Sequence, residues 1–166
     1  MSDNLYTTPE SELENNQGAP DAVLASRWSR LGASIIDGLI MALAIVPITL
    51  LIGGLGALSG EEPLSFGVNI LLGLLSIVVF IGINYKLLVS KGQTIGKKLV
   101  NIKIVDMNGE KPDFNDHLVK RYAVYFLPSQ VPIIGGLFQL VNILFIFRGD
   151  KRCIHDLAGN TQVVNN

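Results

Sequence analysis

The chain has 166 residues, of which 49% are apolar and 16% are charged, and its formal net charge is −1. Soluble domains carry about 25% charged residues, so this composition argues against an ordinary soluble protein. The single cysteine, Cys153, excludes an intramolecular disulfide.

The first 26 residues form a predicted disordered tail. They carry five acidic residues and no basic one, together with many Ser, Asn, Pro and Gly residues. Such a segment buries too little apolar surface to offset its chain entropy. It also lacks the basic start and apolar core of a signal peptide. We therefore expect an acidic tail over residues 1–26, followed by one membrane domain over residues 27–166.

Two apolar blocks are long enough to cross a bilayer, since a span needs about 20 apolar residues. The first predicted span covers residues 31–53 and the second covers residues 66–88. Glu61 and Glu62 lie in the loop between them, which has no Lys or Arg, whereas the loop of residues 89–113 is rich in lysine. The positive-inside rule then predicts a multi-pass protein of the cytoplasmic membrane with both termini inside.

The lysine-rich loop contains a predicted strand. Val100, Ile102 and Ile104 alternate with residues of the opposite face, and the turn signal Asn108-Gly109 follows. The sequence "TQVV" in the C-terminal cytoplasmic segment, residues 148–166, also resembles a strand. Pairing of the two strands would cover edges that are otherwise open.

A third apolar block, residues 122–147, is flanked by basic residues on both sides. Both of its ends are therefore expected on the cytoplasmic side. Pro128 and Pro132 bracket a polar Ser-Gln pair, and proline breaks helices. We predict a helical hairpin over residues 114–147, with one straight tilted span as the alternative. The fold class is therefore an all-α membrane protein: two full transmembrane helices, a Pro-broken helical hairpin and a small cytoplasmic β element.

Asp37 lies inside the first predicted span. A carboxylate facing lipid costs roughly 2.5–3.5 kcal/mol, so it should face protein or water and have a partner. The inner end of the second span and the start of the hairpin reach a similar depth. We predict a polar cluster at the cytoplasmic rim, made of Arg30, Asp37, Asn84, Arg121, His155 and Asp156. The pairings Asp37 with Arg121 and Arg30 with Asp156 are the working hypotheses.

The first span also carries a seam of small residues: Ser34, Gly38 and Ala42. This four-residue spacing allows another backbone to approach closely. We favour a partner helix within the chain, with a second copy of the chain as the alternative.

Two motifs resemble binding sites but lack the residues that binding needs. The segment "GQTIGKK", residues 92–98, has too few residues between its glycines for a phosphate-binding loop and no Ser or Thr after its lysines. The segment "HDLAGN", residues 155–160, has no second cluster of metal ligands to complete a zinc site. We therefore expect no cofactor, no metal and no nucleic-acid partner.

Three stretches together resemble the RDD family of small membrane proteins. They are Arg30 followed by Asp37, "GQTIGKKLVNIKIVD" and "HDLAGNTQVV", and the resemblance covers about residues 25–165. The family is named for one arginine and two aspartates, which correspond to Arg30, Asp37 and Asp156. This chain reads "AGNT" where the family usually reads "AGT". The resemblance implies a prokaryotic cytoplasmic-membrane protein, and it links some members to cation/proton exchange.

Two functions follow from these features. In the first, Asp37 exchanges a cation for a proton, Arg30 and Arg121 regulate it electrostatically, and Asn84 is a neutral ligand. In the second, a non-catalytic assembly protein uses the Arg/Asp network structurally, and its loop or tail binds a cytoplasmic partner. Both functions place the chain in the lipid bilayer, and a homo-oligomer is compatible with both. We expect that the protein is not an enzyme, because the sequence offers no credible pair of a nucleophile and a base.

Overall fold

The computed structural model of the protein describes residues 22–61, 64–131 and 134–166. The described chain is mostly helical, with two long apolar helices and a small two-stranded sheet. Most of the predicted tail falls outside the described residues, so disorder in residues 1–21 stays a prediction.

The long helices are α1 (Arg27–Ser59) and α2 (Phe66–Lys91). A serine side chain caps the start of each helix by accepting a hydrogen bond from a backbone amide. Gly60 and Gly92 end them in the left-handed conformation, which glycine adopts at no steric cost. Both predicted spans lie within these helices, which by length and composition are long enough to cross a membrane.

The outward faces of α1 and α2 present apolar side chains that no described residue covers. Leu43, Leu51 and Leu55 on α1 are between 78% and 88% exposed. Phe66 and Val78 on α2 are each 66% exposed. Continuous apolar surface of this extent is unfavourable in water, so these faces are suited to lipid.

The third apolar block folds as a hairpin. Its elements are a π-helical segment (Phe114–Val119), α4 (Lys120–Phe126), a 3₁₀ turn (Pro128–Gln130), α5 (Ile134–Leu144) and a second 3₁₀ turn (Phe145–Phe147). The Gln139 side chain of α5 donates a hydrogen bond to the Tyr125 carbonyl of α4 at 2.8 Å. One straight helix would separate these residues by about 21 Å. The chain therefore reverses direction between α4 and α5, as predicted.

Four short elements complete the fold: α3 (Ile95–Leu99), β1 (Ile102–Asp106), α6 (Ile154–Ala158) and β2 (Thr161–Asn165). β1 and β2 pair in antiparallel fashion, with Ile104 opposite Val163. The predicted pairing of the two strands is confirmed.

The segment before α1 lies along the free edge of β2. The Ala25 amide donates to the Val163 carbonyl, and the Asn165 amide donates to the Val23 carbonyl, both at 3.0 Å. Ala25 has no exposed surface. The sequence prediction assigned residues 22–26 to the tail, but these hydrogen bonds place them on the sheet and tie the start of α1 to it.

The tightest apolar packing lies where the sheet meets the start of α1 and the end of α2. Five side chains from five elements are each at most 2% exposed there: Ala33, Leu88, Ile104, Leu118 and Val163. Beside this core, α3 packs against α1 and α6 packs against α4, so the polar residues on these elements are gathered at one end of the protein.

Candidate functional site

The predicted site residues lie at one end of the protein but form two separate centres. One centre is built around Asp156 and the other around Asp37. The first centre also contains Arg30, Arg121 and His155. Asn84 lies with Asp37 at the start of α3.

Asp156 lies in the first turn of α6 and has no exposed side-chain surface. Its Oδ2 accepts a hydrogen bond from the Cys153 amide at 2.9 Å. A carboxylate at this position satisfies an amide that the helix itself leaves free. The local role of Asp156 is therefore to fix the start of α6.

Two arginines from different helices bind the two oxygens of the Asp156 carboxylate. Arg30 of α1 forms an ion pair with Oδ2, and Arg121 of α4 forms one with Oδ1. Arg30 also donates to the Lys151 carbonyl, and Arg121 donates to the Thr161 hydroxyl at 2.7 Å. These contacts join α1, α4, α6 and β2 at one buried point.

The predicted pairing of Arg30 with Asp156 is confirmed, whereas the predicted pairing of Asp37 with Arg121 is wrong, because Arg121 binds Asp156. Burial opposes ionisation of Asp156, but Arg121, His155 and Arg30 hold the pKa of its carboxyl well below the usual value. The cluster therefore contains two guanidinium charges and one carboxylate charge.

His155 lies beside this cluster as a neutral ring. Its Nδ1 is 2.9 Å from Oδ1 of Asn142, and its Nε2 is 3.7 Å from Oδ1 of Asp156. Burial lowers the pKa of His155 to about 3, although the Asp156 charge opposes the shift. His155 therefore adds hydrogen bonding to the centre without adding charge near neutral pH.

Asp37 binds the start of α3 and not an arginine. Its Oδ1 accepts a hydrogen bond from the Gly96 amide at 2.7 Å, and its Oδ2 accepts one from the Thr94 hydroxyl at 2.5 Å. Amides at a helix start carry partial positive charge, which suits a carboxylate. Asp37 is thus held by neutral donors.

Asn84 completes the capping of α3. Its Oδ1 accepts from the Ile95 amide at 2.9 Å, and its Nδ2 donates to a carbonyl one turn earlier in α2 at 3.0 Å. The Thr94 hydroxyl accepts from the Lys97 amide at 3.3 Å. Asp37 binds the Gly96 amide between them, so side chains satisfy the three successive amides of residues 95–97, which the helix leaves free. Asn84 therefore binds backbone, and it is not among the residues that line the cavity beside Asp37.

Gly96 allows α3 to lie directly against α1. A Cβ atom at this position would be 2.2 Å from the Ala33 carbonyl oxygen and 2.8 Å from Cγ of Asp37. Any larger residue would push α3 away from α1. The glycine therefore makes the hydrogen bond between the Gly96 amide and Asp37 possible.

A cavity of about 460 Å³ opens beside Asp37 and continues along α1 as far as Val46. Lys97 and Tyr125 also line it. Sequence reasoning treated Lys97 as one of many loop lysines and missed it as a site residue. The available signal was its position directly after Gly96 in a motif that the family resemblance already included.

The small-residue seam of α1 lines this cavity and is not packed against another helix at its centre. Ser34, Gly38 and Ala42 all belong to the lining. A Cβ atom added at Gly38 would have no described atom within 4 Å. The expected close intramolecular helix contact is therefore not made at Gly38.

Cys153, His155 and Asp156 offer one sulfur, one nitrogen and one oxygen atom within 4.8 Å of one another. Such a set resembles part of a metal site. However, Arg30 and Arg121 already bind the two carboxylate oxygens, and a divalent cation there would be repelled by both guanidinium groups. The arrangement fits an ion-pair network and does not fit a metal site.

Comparison with known proteins identifies the relatives of the chain. The model of the RDD family matches residues 24–160. The chain is 28% identical to the Bacillus subtilis protein YxaI over 156 residues, covering 84% of this chain and 96% of YxaI. It is also 28% identical to YckC of the same organism over 145 residues, covering 84% of this chain and 83% of YckC. Both relatives are described as uncharacterized proteins, and no solved structure matches.

Proposed function

The chain belongs to the RDD family, and we propose that it is a non-enzymatic, multi-pass protein of the cytoplasmic membrane that exchanges a cation for a proton. Asp37 is the cation site and Lys97 is the proton carrier. The observation that carries the proposal is the cavity beside Asp37, whose lining includes both charged side chains.

The proposed topology has α1 and α2 crossing the bilayer and the hairpin entering from the cytoplasmic side. Basic residues concentrate at the start of α1 and after α2, whereas Glu61 lies in the loop between the helices. The start of α1, the end of α2 and the sheet share one end of the described protein, which supports a common cytoplasmic face. Both termini are then cytoplasmic.

Asp37 has the capacity to bind a cation from the cavity. Each of its carboxylate oxygens accepts one described hydrogen bond, and a carboxylate oxygen has two acceptor positions. Ser34 lies one turn earlier and lines the same cavity. The Ser34 hydroxyl donates its proton to the Arg30 carbonyl at 3.0 Å, so the lone pairs of the Ser34 oxygen are available to a cation as a neutral ligand. The sequence suggested Asn84 as the neutral ligand, and we propose Ser34 in its place.

Lys97 supplies the proton. Burial and the Arg121 charge together lower the pKa of Lys97 to about 8, although the Asp37 charge opposes the shift. A cation bound to Asp37 would cancel that opposing attraction and lower the pKa of Lys97 again. One cation then binds as one proton leaves, and protonation of Lys97 reverses the step.

The test is ion exchange by the purified chain in liposomes that contain a pH-sensitive dye. A gradient of Na⁺ or K⁺ should drive proton movement in the wild type, and Asp37→Asn should abolish it. Lys97→Arg keeps the positive charge but not the low pKa, so exchange near pH 8 should be lost. Asp116→Asn is the matched control, because the Asp116 side chain is 77% exposed and lies away from the cavity.

A wild type without flux, or full flux in Asp37→Asn, would contradict the exchange proposal. The thermal unfolding of each variant in detergent shows whether lost flux reflects lost folding. A variant that unfolds at the wild-type temperature but transports nothing assigns the effect to the site itself.

The second candidate function is a structural one, in which the chain is an assembly or partner-binding protein. The observation that favours it is that both described hydrogen bonds of the Asp37 carboxylate go to the start of α3. The loop of residues 89–113 or the acidic tail would then bind a cytoplasmic protein, and the α1 seam would bind a second copy. Absent wild-type flux together with unfolding of Asp37→Asn would favour this function.

A further inference from the structure

A second cavity, of about 410 Å³, lies between the start of α1 and α5. Four basic side chains line it: Arg27, Arg30, Lys97 and Arg121. Among the residues that the structure describes, no acidic side chain belongs to the lining. The volume is within the range of about 300–1,000 Å³ that is typical of small-molecule sites.

The positive charge of this cavity is only partly neutralised by the protein. The Asp156 carboxylate binds both Arg30 and Arg121, so one negative charge serves two positive ones. Arg121 is 2% exposed, and its Nε atom is buried without a hydrogen-bond partner in the described chain. None of the ion pairs between described residues involves Lys97. The cavity is therefore suited to an anion.

The mouth of the cavity is apolar and faces outward. Trp28 is 80% exposed, Ile143 is 56% exposed and Phe147 is 66% exposed. Arg27 holds its charge at this rim: its Nε donates to the Ile146 carbonyl at 3.1 Å, and its guanidinium lies 5.5 Å from the centre of the Phe147 ring. A basic floor below an apolar mouth matches an amphiphile with a phosphate at one end and hydrocarbon at the other.

We propose that this cavity binds an acidic phospholipid of the cytoplasmic leaflet. The lipid phosphate lies among Arg27, Lys97 and Arg121 beside Trp28, and the acyl chains leave the mouth along Leu31 and Ile143, one turn further into the bilayer on α1 and α5. Basic pockets between helices on the cytoplasmic side attract anionic headgroups, and tryptophan favours the membrane interface. The inference rests on the proposed placement of the start of α1 at the cytoplasmic face, and it does not require ion exchange.

Trp28 provides a direct probe because it is the only tryptophan of the chain. The full chain is reconstituted in vesicles of phosphatidylcholine and phosphatidylglycerol, with bromine on the acyl chains of one lipid or the other. Bromine quenches the fluorescence of a neighbouring tryptophan. At equal mole fraction, brominated phosphatidylglycerol should quench Trp28 more strongly than brominated phosphatidylcholine.

Lys97→Gln should reduce the preference for phosphatidylglycerol about fivefold, the usual contribution of one basic side chain near an acidic lipid surface. Lys98→Gln is the matched control, since Lys98 is exposed on the same short helix and does not line the cavity. Arg27→Gln at the exposed rim is the second variant and should have the same effect as Lys97→Gln, even if Lys97→Gln fails to fold.

Three results would overturn the proposal. The first is equal quenching by the two brominated lipids. The second is an equal loss of preference in Lys98→Gln, which would indicate unspecific surface charge. The third is removal of the preference by excess inorganic phosphate, which would indicate a site for soluble anions. The quenching is measured without an ion gradient, so failure of ion exchange and failure of lipid binding are separate outcomes.

Discussion

The Asp156 centre and the Asp37 centre contain the same chemical group in opposite surroundings. Asp156 is fully buried, and a guanidinium binds each of its oxygens. Asp37 is half-buried, is held by an amide and a hydroxyl, and lines a cavity. A carboxylate between two arginines has no capacity left for a ligand, whereas Asp37 does. The two aspartates therefore have different surroundings: Asp156 is closed off by its ion pairs, and Asp37 is open to a cavity.

The strongest test of this difference is to neutralise each aspartate in turn. Asp156→Asn leaves two buried arginines without a counter-charge, and breaking a buried ion pair costs about 3–5 kcal/mol. Asp37→Asn keeps one acceptor oxygen and loses part of a helix cap, which costs about 1–2 kcal/mol. Thermal unfolding in detergent should therefore show a much larger loss of stability for Asp156→Asn than for Asp37→Asn.

Equal losses in the two variants would break the comparison, because Asp37 would then be as structural as Asp156. Asp116→Asn controls for the general effect of removing a carboxylate, since its side chain is 77% exposed. It should unfold at the wild-type temperature.

Two glycines sharpen the comparison at the Asp37 centre. Gly96→Ala would place a Cβ atom 2.2 Å from the Ala33 carbonyl oxygen, so α3 must move away from α1. Overpacking of this kind costs about 1–3 kcal/mol. Gly38→Ala adds a Cβ atom that meets no described atom within 4 Å, and alanine favours a helix by up to about 1 kcal/mol. Unfolding temperatures should fall for Gly96→Ala and rise slightly for Gly38→Ala.

A fall in both variants would mean that the added methyl group at Gly38 meets other atoms, either of a second copy or of the same chain. The molecular mass of the wild type and of Gly38→Ala in detergent would then separate a dimer contact from a local effect. A monomer in both cases, with the fall still present, would contradict the open space described at Gly38.

Lys97 gives the Asp37 centre a pH dependence between about pH 8 and pH 10.5. Burial lowers the pKa of Lys97 from 10.5 to about 8, so the unfolded chain binds more protons than the folded chain between these values. Stability attributable to Lys97 must then rise as the pH rises from about 8 to 10.5. Lys97→Met removes this cost. Its advantage in unfolding temperature over the wild type should be largest below pH 8 and should vanish by pH 10.5.

The matched control is Lys98→Met, which removes an exposed lysine from the same short helix and shows what the substitution itself does to the unfolding temperature. A constant difference between Lys97→Met and the wild type across this pH range would show that Lys97 keeps its ordinary pKa. The proposed proton carrier would then be excluded.

Local patterns in the sequence were sufficient for most of the fold. The alternation at Ile102 and Ile104 predicted β1, and the prolines around residue 130 predicted the hairpin. The tail boundary was placed too late, because Val23 and Ala25 bind β2 through the backbone, and backbone hydrogen bonds leave little trace in side-chain patterns.

The site was harder to predict because its contacts depend on short helices. Charge and depth suggested two pairings, of which Arg30 with Asp156 is present and Asp37 with Arg121 is not. The partners that Asp37 does have were not predicted, since Thr94 and Gly96 lie 57 and 59 residues away, at the start of a helix of only five residues. A carboxylate in a span suggests a charged partner. Backbone amides are present at almost every residue, so the sequence does not show which of them bind the carboxylate. The same short helix brings Lys97 to the cavity.

Cys153 allows the smallest expected effect, at the edge of the Asp156 centre. Its Sγ lies 3.6 Å from Nη2 of Arg30, and its side chain is at the start of α6. Burial raises the pKa of the Cys153 thiol, so the thiol stays protonated and is a weak acceptor. Cys153→Ser supplies a stronger acceptor and a preferred helix cap, so we expect a gain of about 0.5 kcal/mol. This corresponds to a rise of about 1–2 °C in unfolding temperature. Cys153→Ala has no acceptor, so its unfolding temperature should fall below that of the wild type. If Cys153→Ser instead lowers the unfolding temperature as much as Asp156→Asn does, the sulfur itself holds Arg30 in place.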